Sequence, residues 1–399
     1  MAKYTGYLKP RNFEIFKASL DAGGMLGQAH DFLIASGKLQ ALCYKEDIEA
    51  ALRRPGMGGF QLLGLSDFPG QGTALVGVLD AFWDEKGYIS PETFRRFCSS
   101  TVPLARLAKR VFTSGEHLVA DIEVAHYGSA ELTDPAVPLR LIDPSGAVVS
   151  EGRLPRREPI GWGLSKLVRI DLALEDLAAP SRYKLVVSVP AAGAENDWDI
   201  WVYPRGDHIV RPAPPNVMLV RALDFATERA LVDGATVVLA IPPHRVALDS
   251  RRGPIALGFS SIFWNTAWTN GQPPHTLGVL CDPRHPALAQ FPSEAHSNWQ
   301  WWYPISHAAP MILDGFPRDL HPIVQVVDDW FTNRKLALVF EARVGRGRIL
   351  VTSIDVAGAV LDPVRRQLRA SLLDYAAGDD FLPANEVTSE QLRSLFVAP

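Results

Sequence analysis

The sequence predicts a multidomain chain in which α/β segments flank an all-β segment. Three observations carry that expectation. Helical spacing over residues 10–55 gives way to a short glycine-bounded apolar run, residues 107–204 change to short alternating stretches, and a strand–helix–strand pattern follows a proline-rich linker. With 399 residues, at roughly 100–200 per domain, the chain has room for two or three separate cores.

Composition removes several classes. An apolar content of 47% is too high for disorder, and a formal charge of −4 has the wrong sign for phosphate neutralisation on nucleic acid. Cys43, Cys98 and Cys281 never form a Cys-x-x-Cys pair, which argues against a disulfide framework and a cysteine-built zinc site. Neither a signal peptide nor a membrane-spanning run is visible, so no membrane partner is expected and the compartment stays open.

Taken in order, Phe13, Ile15, Phe16 and Leu20, then Phe32, Leu33, Leu39, Leu42, Ile48 and Leu52, recur at three- and four-residue spacings between Pro10 and Pro55-Gly56, which predicts helix. Phe60-Gln61-Leu62-Leu63-Gly64-Leu65 is bounded by glycines and followed by Ser66-Asp67-Phe68-Pro69-Gly70. That pattern predicts a buried parallel strand ending in a polar loop. Residues 78–101, rich in aromatics and turn residues, read as a short helical connection. The stretches 118–125, 139–142, 168–174, 184–189 and 197–203 alternate or are β-branched, with turn signals such as Asp143-Pro144-Ser145-Gly146 between them. Such spacing predicts an immunoglobulin-like β-sandwich. After Pro212, Pro214 and Pro215 come Val217–Val220, a helix through 224–233 and the strand 236–241, a unit that implies parallel pairing. A hairpin about Gly345-Arg346-Gly347 and a helix at about 362–377 complete the chain.

Few residues point to chemistry. Gly70-Gln71-Gly72 lacks the third glycine and the Lys-Ser/Thr pair of a phosphate loop and reads as a tight turn. Cys281 follows an apolar stretch but lacks the flanking glycines of a nucleophile elbow, and reads as a buried thiol. The histidines at 275, 285, 296 and 307 are too far apart for a metal pair, so no metal and no cofactor is expected. Trp264, Trp268, Trp299, Trp301 and Trp302 crowd together with Asn265, Asn270 and Asn298. Indole faces beside amides suit either a sugar-binding surface or a polar domain interface, and both readings stay open. Asp67, just past the expected strand, would sit at the carboxyl edge where parallel folds place their sites, or would cap the turn ahead of Pro69-Gly70.

Two blocks go beyond such patterns. Gly58–Leu63 through Asp67–Asp80, with Phe94-Arg95-Arg96-Phe97 and Val102–Arg106, resembles the C-terminal portion of family 2 glycoside-hydrolase relatives, the β-galactosidase and β-glucuronidase group. The block Pro273–Gly278, Cys281-Asp282-Pro283, His285–Leu288 and Ser297–Trp302 looks like the far C-terminal domain of the same proteins. The resemblance implies that residues 1–104 are the end of a (β/α)8 barrel with its last strand at about 58–67. It further implies that 105–206 is an immunoglobulin-like sandwich and that 207–399 is an α/β domain similar to glutamine-amidotransferase-like folds without an active cysteine.

Members of that family are retaining enzymes with a glutamate acid/base in an Asn-Glu pair and a glutamate nucleophile. Here the Asn-Glu pair is Asn385-Glu386, in the tail. A retaining mechanism needs two carboxyl groups about 5–5.5 Å apart, which one barrel strand cannot supply. The resemblance therefore implies the C-terminal part of a larger β-glycosidase, inactive alone, with both catalytic glutamates upstream and no catalytic residue within this chain. Its partners would be a β-linked glycoside and a missing barrel, or a second copy of the chain. Substrate-side candidates are Asp67, Gln61, Trp264, Trp268, Asn298 and Trp299. A non-catalytic carbohydrate-binding or oligomerisation module is the alternative.

Overall fold

A computed structural model describes residues 3–6, 10–68, 75–133, 136–154, 158–206, 211–258, 273–358 and 361–397. The chain divides into two compact units, one of residues 1–40, 64–88 and 208–399, the other of residues 41–63 and 89–207. Helix α1 (Arg11–Ala22) belongs to the first, and the division falls within the long helix α2 (Ala29–Leu52).

The second unit is a two-layer β-structure with one short helix, α3 (Pro91–Arg95), whose N-cap Ser90 accepts from the Thr93 amide. One layer orders β1 (Thr101–Leu107), β3 (His117–His126) and β6 (Gly163–Ala173), antiparallel throughout. In the other, β2 (Val111–Thr113) lies parallel to β8 (Ala194–Tyr203), followed by β7 (Ser181–Val189), β4 (Val137–Ile142) and β5 (Val148–Leu154) in antiparallel pairing. Alternation explains the core between the layers, because every second side chain faces it. Leu118, Ala120, Ile122 and Val124 of β3 meet Leu185, Val187 and Val189 of β7 and Trp198, Ile200 and Val202 of β8 in one buried cluster.

The first unit is built on a mixed sheet ordered β11 (Thr276–Cys281), β13 (Val324–Asp328), β14 (Leu336–Val344), β15 (Gly347–Thr352), β10 (Thr236–Ala240) and β9 (Met218–Val220), with β12 (Met311–Ile312) pairing β14. Parallel pairing joins β9 to β10 and β10 to β15, with α4 (Phe225–Asp233) as the crossover from β9 to β10. The pairings β14–β15, β13–β14 and β11–β13 are antiparallel. Strands β10 and β13 are buried along their whole length; β10 has the near-continuous apolar sequence of a strand covered on both faces, whereas β13 also buries Gln325 and Asp328. Leu231, Val237, Leu239, Phe340, Ile349 and Val351 share a core with Leu392 and Leu395, which flank the end of α7 (Ser389–Arg393). Helices α5 (Trp302–Ser306) and α6 (Pro363–Ala377) complete the unit.

The hairpin needs a glycine where β15 begins. A Cβ at Gly347 would lie 2.3 Å from the Leu231 carbonyl oxygen and 2.8 Å from that of Ala235, both backbone atoms that cannot swing aside. Gly347→Ala is expected to cost about 1–3 kcal/mol. Thermal unfolding checks it against Gly315→Ala, where an added Cβ meets nothing within 4 Å. Equal midpoints for the two variants would refute the steric reading.

Three sequence expectations about the fold are corrected. The described residues contain no closed barrel or part of one: residues 58–65 form no strand, and Ser66 contributes only an isolated bridge to Leu79. An apolar run without pairing partners cannot bury its backbone polar groups. Gly59 at φ 138° and Gly64 at φ 82° break the extended path, and Leu63 is 82% exposed. Helices α1 and α2 therefore have no barrel strand there to pack outside. The C-terminal segment, expected to be an α/β domain similar to amidotransferase-like folds, is instead built on a mixed sheet in which three of the five pairings along the strand order are antiparallel.

Candidate functional site

Among the described residues, the polar side chains with the clearest joint geometry lie around Asp67 in the first unit. The segment is held by two backbone hydrogen bonds, from the Asp67 amide to the Leu79 carbonyl at 3.0 Å and from the Leu79 amide to the Leu65 carbonyl at 2.9 Å. Asp67 is buried, and its Oδ1 accepts from Lys86 Nζ at 2.6 Å and from the Gly77 amide at 2.9 Å. Burial pushes the Asp67 carboxyl above its ordinary value despite the opposing pull of Lys86. Asp67 is thus placed as half of an inward ion pair, not as a carboxylate presented to solvent.

A cavity of about 210 Å3 opens beside this pair. Its apolar wall comes from Phe16, Leu33, Leu39, Leu75, Val76 and Leu277, and Lys86, Gln40, Tyr88 and Trp330 complete it. Helix α2 can run against Tyr88 because Gly37 faces it: a Cβ there would sit 2.2 Å from the Tyr88 ring. Tyr88 Oη donates to Gln40 Oε1 at 2.7 Å, and Gln40 Nε2 donates to the Val76 carbonyl at 2.5 Å. Sequence reasoning missed Gln40, Lys86, Tyr88 and Trp330 as neighbours. They are 290 positions apart at the extremes, and no spacing in the chain announces that a helix, a loop and a post-strand turn will meet.

The remaining candidates are dispersed. Gln61 is exposed on a stretch without regular structure. Trp264 and Trp268, with Asn265 and Asn270, lie outside the described residues, as does the Gly70-Gln71-Gly72 turn. Asn298 is buried and acts as a helix cap: its Oδ1 accepts from the Gln300 amide at 3.2 Å while its Nδ2 donates to Glu294. The single turn that it caps, Trp299–Trp301, leaves Trp299 half-buried and Trp301 fully buried. Trp301 Nε1 donates to Ser293 Oγ at 2.9 Å, and its ring packs edge-on to Phe291 with centroids 5.3 Å apart. Asn298 and Trp301 are occupied by the core and offer no sugar platform. Cys281 is also buried, and burial pushes its thiol up to about 12, far from a reactive thiolate. Among the described residues no group of three or more metal-ligating side chains occurs, and no helix is long and apolar enough to cross a membrane.

The second unit carries a different polar cluster. Glu49 of α2 is 0% exposed. Its carboxylate accepts from Lys45 Nζ at 2.5 Å, Arg53 Nη2 at 2.5 Å, Asn196 Nδ2 at 2.8 Å and Trp198 Nε1 at 2.9 Å. Burial alone would raise this carboxyl, yet Lys45 and Arg53 hold it below its ordinary value. With its oxygens saturated by four donors, Glu49 has no free lone pair for a substrate proton, and its work is to tie helix to strand.

Comparison with known proteins adds sequence families whose descriptions assign no role. Residues 218–397 match the model described as Domain of unknown function (DUF8487), and residues 116–204 match Domain of unknown function (DUF8488). No curated protein matches the chain. Among solved structures, the sporulation control protein Spo0M from Bacillus subtilis is similar at 14% identity over 27% of this chain and 51% of its own, with a TM-score of 0.22. A CARDB domain from Pyrococcus furiosus, solved with di-metal ions, is similar at 10% identity over 27% of this chain and 93% of its own, with a TM-score of 0.20. The β-glucuronidase of Parabacteroides merdae is similar at 11% identity over 35% of this chain and 21% of its own, with a TM-score of 0.20. This chain therefore spans about half of Spo0M and about a fifth of the β-glucuronidase.

Proposed function

We propose that this chain is a non-catalytic C-terminal part of a retaining β-glycosidase, acting in the breakdown of β-linked sugars with its two catalytic glutamates supplied from outside these residues. Support comes from the residue blocks at 58–80, 94–106 and 273–302, which resemble family 2 relatives. The observation that carries the non-catalytic part is the pairing of Asp67 with Lys86 at 2.6 Å. A retaining centre sets two carboxyl groups about 5–5.5 Å apart across the scissile bond. The carboxylate best placed by sequence is committed to a cation and a backbone amide instead.

The test is hydrolysis of aryl β-galactoside, β-glucuronide and β-glucoside. The 399-residue chain alone is expected to give none, and addition of a family 2 barrel expressed without its C-terminal domains is expected to give turnover above that of the barrel by itself. Turnover by the chain alone that Asp67→Asn abolishes would overturn the non-catalytic reading. Failure to raise the barrel's turnover would overturn its assignment to such an enzyme.

A further inference from the structure

We propose that the outer edge of β5 is a self-association surface, on which β5 of a second copy of this chain pairs antiparallel about a two-fold axis at Gly152. The inference rests on that edge strand and is independent of the glycosidase reading.

Strand β5 closes one end of the five-stranded layer, and among the described residues β4 is its one strand partner. An open edge presents unpaired N–H and C=O groups that template a further strand. Which residues present them follows from the hairpin. The Asp143 amide donates to the Ala147 carbonyl at 2.9 Å, so Asp143 faces β5, and with it every second residue of β4, namely Leu141, Leu139 and Val137. Arg140 and Pro138 turn their backbone groups away from β5, and Pro138 has no N–H to give it in any case. Glu151 and Arg153 stand opposite those two residues, so they make no ladder bonds to β4 and turn their own backbone groups to the open edge.

Charge then selects the occupant and its register. Glu151, Gly152 and Arg153 are exposed, and among the described residues neither charged side chain has an ion-pair or hydrogen-bond partner. On β6, an edge of the other layer, the charges are already engaged, Arg169 with Asp121 and Asp171 with His117. A two-fold axis at Gly152 sets Glu151 of each copy directly across from Arg153 of the other. Each such pair exchanges both backbone hydrogen bonds and lays opposite charges side by side on one face. Axes at Glu151 or at Arg153, the neighbouring registers that also pair the outward groups, set like charges together and are disfavoured. Gly152 falls on the axis in a pair without hydrogen bonds, where antiparallel strands approach most closely and a missing side chain leaves room. A patch complementary to itself in this way is what a closed two-fold dimer requires.

Sedimentation velocity of the full chain over a concentration series tests this. The unmodified chain is expected to pass reversibly from monomer to dimer as its concentration rises to about 0.2 mM. Glu151→Arg and Arg153→Glu should each weaken dimerisation about tenfold, since either change sets like charges across the seam. The double variant carrying both changes restores opposite charges and should dimerise as the parent does. An equimolar mixture of the two single variants should form mixed dimers, because one then brings only basic and the other only acidic side chains to the seam. Both positions are exposed, so circular dichroism of every variant should match that of the parent. A parent chain that stays monomeric, single variants that dimerise as the parent does, or a double variant and a mixture as weak as the single variants would each overturn the proposal. The unmodified chain alone decides the first of these even if a variant fails to fold.

Discussion

Replacement of Glu49 by alanine is expected to destabilise the β-sandwich unit by about 3–5 kcal/mol, the cost of breaking a buried ion pair from one side. The variant strands Lys45 and Arg53, whose side chains are only 15% and 14% exposed, and leaves the Asn196 amide and the Trp198 indole N–H short of an acceptor. Lys45 Nζ keeps two alternatives, Asn196 Oδ1 at 2.5 Å and the Trp198 ring at 5.0 Å. These hold the ammonium in place but do not replace an anion.

The effect should be read by native-state hydrogen exchange of β7 and β8, because a chain of two units has no single unfolding free energy. A triple replacement with apolar residues, Glu49→Leu with Lys45→Met and Arg53→Met, is expected to recover much of the loss, since the charges then disappear together. The sign of the pH dependence follows from the depressed carboxyl. Glu49 stabilises fully above its ordinary value of 4.5 and loses that contribution as pH falls through its lower folded value. The gap between parent and Glu49→Ala should therefore narrow with acidification below about 4.5. A gap that stays constant down to pH 2 would show that the carboxylate charge is not what the network depends on.

Trp301→Ala is expected to cost the other unit about 3–5 kcal/mol, the range for deleting a fully buried large aromatic side chain. The loss combines the cavity left beside Phe291 with the desolvated Ser293 hydroxyl deprived of its indole donor. Trp301→Phe, which keeps an aromatic ring against Phe291, should lose less. Hydrogen exchange in β11 and β13 reports the change. The same variants separate core from sugar platform: a Trp301→Ala chain of undiminished stability but with weakened oligosaccharide binding would reverse the assignment.

How far the sequence reached is clearest where a period of two runs through part of a strand and gives way to a β-branched or aromatic run. His117–His126, Ser181–Val189 and Ala194–Tyr203 are strands because their alternation allows one face to be buried, whatever strand lies next to them. The turn at Gly345-Arg346-Gly347 was equally local, and β14 and β15 pair across it. At 58–65 the same kind of reasoning failed. A short apolar run is compatible with a buried strand only if another strand offers its hydrogen bonds, and that information lies elsewhere in the polypeptide.

Composition and periodicity by themselves determined the apolar faces, the turns and the poverty of metal and nucleophile motifs. Tertiary structure alone decided the partners: that Asp67 would meet Lys86, that Asn298 would close a helix end, that Glu49 would receive four donors, and that Gln40, Tyr88 and Trp330 would border one cavity. The physical reason is range. Backbone preference and amphipathic period act over a few residues and are written in the local sequence. The burial of a charge or an indole N–H is settled by groups many positions away, which only the folded chain brings within hydrogen-bond distance.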